Sequence, residues 1–147
     1  MTRRKLVAGN WKMNGSLGAL SELDAIAEAA ESHAGVDVAV AVPSTLIAPA
    51  VSRVPALMIG AQDVHAADKG AHTGCISAAM AKEAGARFSI VGHSERRADQ
   101  SETDADVKAK AEALRGQDMQ AIVCVGETLD EREAGRAEAV VDRKSVV

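Results

Sequence analysis

Residues able to do acid–base or anion chemistry are clustered in this sequence, and each cluster directly follows a short aliphatic run. Asn10 and Lys12 follow the run 5–8, and Ser44 follows 36–42. Gln62, Asp63 and His65 follow 57–61. His93, Ser94 and Glu95 follow 88–91, and Glu127 follows 121–125. The residue types suggest a division of labour. A lysine offers a point charge to a phosphate or carboxylate. A histidine can hold or donate a proton near neutrality, or hydrogen-bond a developing oxyanion. Carboxylates can move protons. Each residue alone has a plainer reading: Lys12 as a solvated lysine, His93 as a packed or exposed loop residue. Glu95 reads as a buried acid or as an ion-pair partner of Arg96 or Arg97, the ion pair being the commoner outcome. The joint pattern is the stronger signal, because sites in α/β folds assemble at the carboxyl edge of the strands.

The elements that must present these residues follow from the patterning. The five runs are nearly unbroken Val, Ile, Leu and Ala, as expected of parallel strands buried on both faces. Helical spacing lies between them, at Leu17, Leu20, Leu23, Ala27 and Ala30 and again at Val107, Ala111 and Leu114. Thr103-x-x-Asp106 and Thr128-x-x-Glu131 have the form of capping boxes, and Ser94-Glu95 reads as a short helix start. A helix N-terminus there would disfavour the His93 imidazolium and keep the ring neutral. Gly35, Gly85 and Gly116 are placed to end helices. The helix after Pro43 is interrupted by Pro49 and closed by Pro55. His33 suits a helix C-terminus, while His65 and His72 read as structural or surface loop residues. Cys124 reads as a small core residue, and Cys75 falls in a loop with no role assigned by its surroundings.

Alternating β and α elements predict an α/β fold. The turn after the first run, Gly9-Asn10-Trp11-Lys12-Met13-Asn14-Gly15, matches neither GxGxxG nor GxxxxGK[ST]. That argues for a barrel over an open nucleotide-binding sheet. The 147 residues carry a net charge of −4 with no basic stripe, which disfavours nucleic acid as a partner. No apolar run approaches the ~20 residues of a membrane helix, and no signal-peptide core follows the basic N-terminus. Two distant cysteines disfavour a disulfide framework or zinc site and point to a reducing cytoplasm. The core is alanine-rich with two aromatics, Trp11 and Phe88.

GNWKMNG at 9–15, AQDVH at 61–65, GAHTG at 70–74, VGHSERR at 91–97 and CVGETLDERE at 124–133 closely resemble the triosephosphate isomerase family, in its order and spacing. The likeness runs from about Arg4 to Val141. It implies a (β/α)₈ TIM barrel, cytoplasmic and dimeric, that interconverts dihydroxyacetone phosphate and D-glyceraldehyde 3-phosphate through an enediol(ate) without cofactor or metal. It implies that His93 is the neutral electrophile, that Lys12 supplies positive charge to the phosphate and enediolate, and that Asn10 orients the substrate. Glu95 would assist beside them. Thr73 would reach into a neighbouring subunit's site, and Ser94, Arg96, Cys124 and Glu127 would support from behind.

Two departures shape the expectations. Cys75 stands where the family usually has an acid that meets an arginine of the SERR motif across the dimer. The sequence also contains no counterpart of the family's strand-six glutamate, its lid, or its later phosphate loops. The expected architecture is a TIM barrel truncated after about five βα units, with residues 1–141 forming the N-terminal portion of one barrel domain. Residues 142–147 leave the family pattern abruptly and read as a non-native tail, such as a translated sequencing adapter; sequencing the DNA past codon 141 checks this. The expected activity is that of the isomerase family, with the chain alone inactive for want of the glutamate. The alternative is a non-catalytic half-barrel binding or interaction module.

Overall fold

In the computed structural model, which describes residues 3–145, five parallel strands form one sheet in sequence order, curled into a half-barrel. The strands are β1 (Lys5–Asn10), β2 (Val36–Ala41), β3 (Met58–Ala61), β4 (Phe88–Val91) and β5 (Gln120–Val123). β4 coincides with its expected aliphatic run, and the other four match theirs with ends shifted by one or two residues. The register of β1 on β2 runs from Lys5 opposite Val36 to Asn10 opposite Ala41. β4 pairs β5 from Phe88 opposite Gln120 to Val91 opposite Val123.

Alternation of side chains across each strand divides the core between two faces. Val40, Val42, Ile59, Ala61 and Val91 point to a helix-covered core with Leu20, Leu23, Ile47, Val107 and Leu114. Ala39, Ala41, Phe88 and Ile90 form a second cluster, with Met58, Ile122 and Cys124 packed against it. The expectation of strands buried on both faces holds for β4 but not for β1, whose first five residues are exposed, or for β5, which is exposed in its first two. These two strands bound the sheet, so each has a neighbour on one side only.

The helices are α1 (Glu22–Ser32), α2 (Ile47–Arg53), α3 (Ala78–Glu83), α4 (Ser94–Asp99), α5 (Asp104–Gly116), α6 (Leu129–Glu133) and α7 (Ala137–Ser145). Both capping boxes are present. Thr103 caps α5 with reciprocal bonds to Asp106, and Thr128 caps α6 with reciprocal bonds to Glu131. Pro49 does not interrupt α2: it sits in the first turn, where a missing N–H costs nothing. Of the three glycine stops, Gly85 takes the left-handed backbone at φ 100° just after α3. Gly116 instead remains the last residue of α5, and Asp118 makes the left-handed turn at φ 54°. Gly35 has no positive φ; His33 ends α1, its ring Nδ1 lying 2.8 Å from the Ala29 carbonyl oxygen. Residues 142–145 continue α7, while Val146 and Val147 of the expected tail lie outside the described residues. No helix among the described residues is long and apolar enough to cross a membrane.

Candidate active site

The carboxyl ends of β1 to β4 open into one cleft of about 380 Å³. Asn10, Lys12, Ser44, Gln62, Asp63, His65, His93 and Glu95 all line it, so most of the polar clusters seen in the sequence converge. Gly74, Cys75 and Arg96 line it as well. Glu127 does not line it; its carboxylate accepts a 2.7 Å hydrogen bond from Arg132 Nε. A hydrogen bond from its own backbone N–H first, and this one from Arg132 second, hold Glu127 below the usual carboxylate range. Ser94 opens α4 without lining the cleft, and Thr73 is an exposed loop residue outside it. Cys124 lies half-buried beneath β5's carboxyl end, and burial pushes its thiol pKa up.

β1 ends in a turn that places Lys12 at φ 55°, a left-handed conformation rare for a lysine. Its Nζ lies 2.8 Å from Glu95 Oε1. The ion pair expected for Glu95 therefore forms, but with Lys12 and not with either neighbouring arginine. Lys12 holds the Glu95 carboxyl below its ordinary range. His93 caps α4: its Nδ1 accepts a 3.3 Å hydrogen bond from the Glu95 backbone N–H. An imidazole whose Nδ1 accepts carries its proton on Nε2. Glu95 Oε2, 3.4 Å from that same Nδ1, is then a neighbour and not an ion-pair partner.

Both arginines of the SERR segment turn inward. Arg97 donates to the Gly92 carbonyl at 2.8 Å, to the Cys124 carbonyl at 3.2 Å and to Asp104 at 2.7 Å. One side chain thus joins the ends of β4 and β5 to the start of α5. Arg96 Nε lies 3.1 Å from Asp63 Oδ2. Lys110 donates to both Asp63 oxygens at 2.8 and 3.0 Å and to Glu102. Desolvation raises the Asp63 pKa, and the hydrogen bond from Lys110 opposes that rise. The sequence reading missed Lys110 and Glu102. The available signal was the spacing of Lys110 three residues after Val107 and four before Leu114, on the face α5 buries. Among the described residues no group of three or more His, Cys, Asp or Glu could hold a metal ion.

The profile of the triosephosphate isomerase family matches residues 5–146. The chain belongs to that family. The triosephosphate isomerase of Ruegeria sp. (strain TM1040) is 54% identical over 138 residues, covering 94% of this chain and 56% of the relative. That of Rhizobium meliloti is 50% identical over 145 residues, covering 96% and 57%. The crystal structure of triosephosphate isomerase from Bartonella henselae superposes with a TM-score of 0.92 at 43% identity, over 97% of this chain and 60% of that one. The chain thus spans a little over half the length of these family members, and its half-barrel is the corresponding part of a TIM barrel.

Proposed function

We propose that this chain supplies the polarising and anion-binding half of a site that interconverts dihydroxyacetone phosphate and D-glyceraldehyde 3-phosphate. The observation that carries the proposal is the convergence of Asn10, Lys12 and His93 on one cleft, with His93 Nδ1 engaged as an acceptor. An Nε2–H donor suits a carbonyl oxygen that gains negative charge as an enediolate forms. Lys12 adds positive charge for that oxygen or for the phosphate, and Asn10 orients the substrate. Glu95 assists by holding Lys12 in place. Ser94, Arg96, Cys124 and Glu127 support the elements behind them.

No residue of the chain matches the family's proton-moving glutamate, so proton transfer lacks a base, a loss of about 10²–10⁴-fold from that term alone. The 147 residues bind the triose phosphate and do not turn it over. In the whole protein, a second copy would meet the loop of Thr73 and Cys75, in the cytoplasm, as in a family homodimer.

Titration with dihydroxyacetone phosphate, followed by hydrogen exchange, tests this reading. Protection of the segments holding Lys12 and His93 is expected, with Lys12→Met weakening binding by about tenfold or more. Absence of protection would overturn the site. Turnover near that of an intact isomerase in a coupled assay would overturn the missing base.

A further inference from the structure

Gln62 lies at the carboxyl end of β3, and neither the fold nor the chemistry above assigns it a role. Its side chain bridges two loops. Nε2 donates to the Lys12 carbonyl oxygen at 2.7 Å and to Asn10 Oδ1 at 3.2 Å. Asn10 Oδ1 also accepts from the Lys12 backbone N–H at 2.9 Å. Lys12 is the residue at φ 55°, a conformation that persists in a non-glycine residue only when its surroundings hold it. The two polar groups of that peptide turn, its N–H and its C=O, are both held by this small network.

We propose that Gln62 is a positioning residue: its carboxamide locks the Asn10–Lys12 turn in the left-handed conformation that aims Lys12 at Glu95 and the cleft. A second consequence concerns Asn10. With two donors on Oδ1, its amide cannot be flipped without setting N–H against N–H. Asn10 Nδ2–H₂ is thereby left as the free donor end. The cleft then presents donors from Asn10, Lys12 and His93, a set matched to the oxygens of a phosphorylated carbonyl compound. This last step rests on the function proposed above; the backbone lock does not.

Hydrogen exchange read by mass spectrometry on the peptide spanning residues 9–16 tests the lock at micromolar protein. Gln62→Met removes both donors, and Gln62→Glu keeps the shape while reversing their polarity. Both are expected to speed exchange in that peptide about tenfold, the size of two lost hydrogen bonds. The peptide spanning α5 should stay within about twofold. Placing the same changes in a Lys12→Gly background should shrink the effect to about twofold, since glycine needs no holding at positive φ. An equal effect with and without Lys12→Gly would overturn the proposal, as would equal acceleration in α5 or none at 9–16. Dihydroxyacetone phosphate is then titrated into Gln62→Met, with a loss of affinity of about tenfold expected. If the unsubstituted chain fails to bind that probe while the exchange cycle behaves as stated, the proposed function falls and the lock stands.

Discussion

Asp104 shows how one side chain can tie a helix start to a neighbouring turn. It is the first residue of α5, and its Oδ1 accepts from Arg97 at 2.7 Å while Arg143 lies 3.3 Å from Oδ2. The Arg97 hydrogen bond holds its carboxyl below the ordinary range. A carboxylate depressed in the folded state contributes stability above its unfolded pKa and loses it as pH falls through the folded one. Asp104→Asn should therefore lower stability at neutral pH by on the order of 1 kcal/mol after solvent screening. That difference should close in acid, below about pH 4. Denaturant unfolding across pH measures it; a gap that stays constant into acid would assign the loss to packing. At this scale the sequence was legible for Asn10, Lys12 and His93, because their positions after strands are local facts. The partner of Glu95 was not legible: Lys12 is distant in sequence, and only the curl of the sheet brings the two ends together.

Elements were legible where their termination chemistry is local. Thr103 and Thr128 each satisfy orphan N–H groups within three residues, so the capping boxes could be read directly from spacing. Thr103→Ala is expected to cost about 1 kcal/mol, seen as a lower thermal midpoint. α5 stops at Gly116 as expected, but the left-handed turn falls on Asp118, because either residue can take it and propensity alone does not choose between them. The turn from β4 to α4 is decided by packing. Gly92 sits at φ 69°, and an added Cβ would lie 2.8 Å from Val107 Cγ2 and 2.9 Å from an Arg97 nitrogen. Gly92→Ala thus combines backbone strain with a clash against the side chain that ties β4 to β5 and α5. A loss of about 2 kcal/mol or more is expected in denaturant unfolding. A change below about 0.5 kcal/mol would mean that Val107 and Arg97 move aside freely.

Across the described residues, the dominant feature is a sheet whose outer strands, β1 and β5, each pair with one neighbour. β1 exposes Leu6 at 49% and Val7 at 59%, and Val125 beyond β5 is exposed at 41%. Unpaired strand edges with apolar side chains pair readily with other chains. Sedimentation velocity is expected to show mass rising with concentration in the micromolar range, and Val7→Lys should suppress it; a monomer at every concentration would refute this. The sequence by itself determined the alternation of strands and helices, the caps, and the placing of polar clusters at strand ends. Those follow from periodicity and from hydrogen bonds spanning three or four residues. The tertiary structure alone decided which clusters share a cleft, which cation meets Glu95, that Lys110 is buried on Asp63 and Glu102, and that β1 is an exposed edge. These depend on distances between residues far apart in the chain, set by the curl of the sheet and by each strand having one neighbour or two.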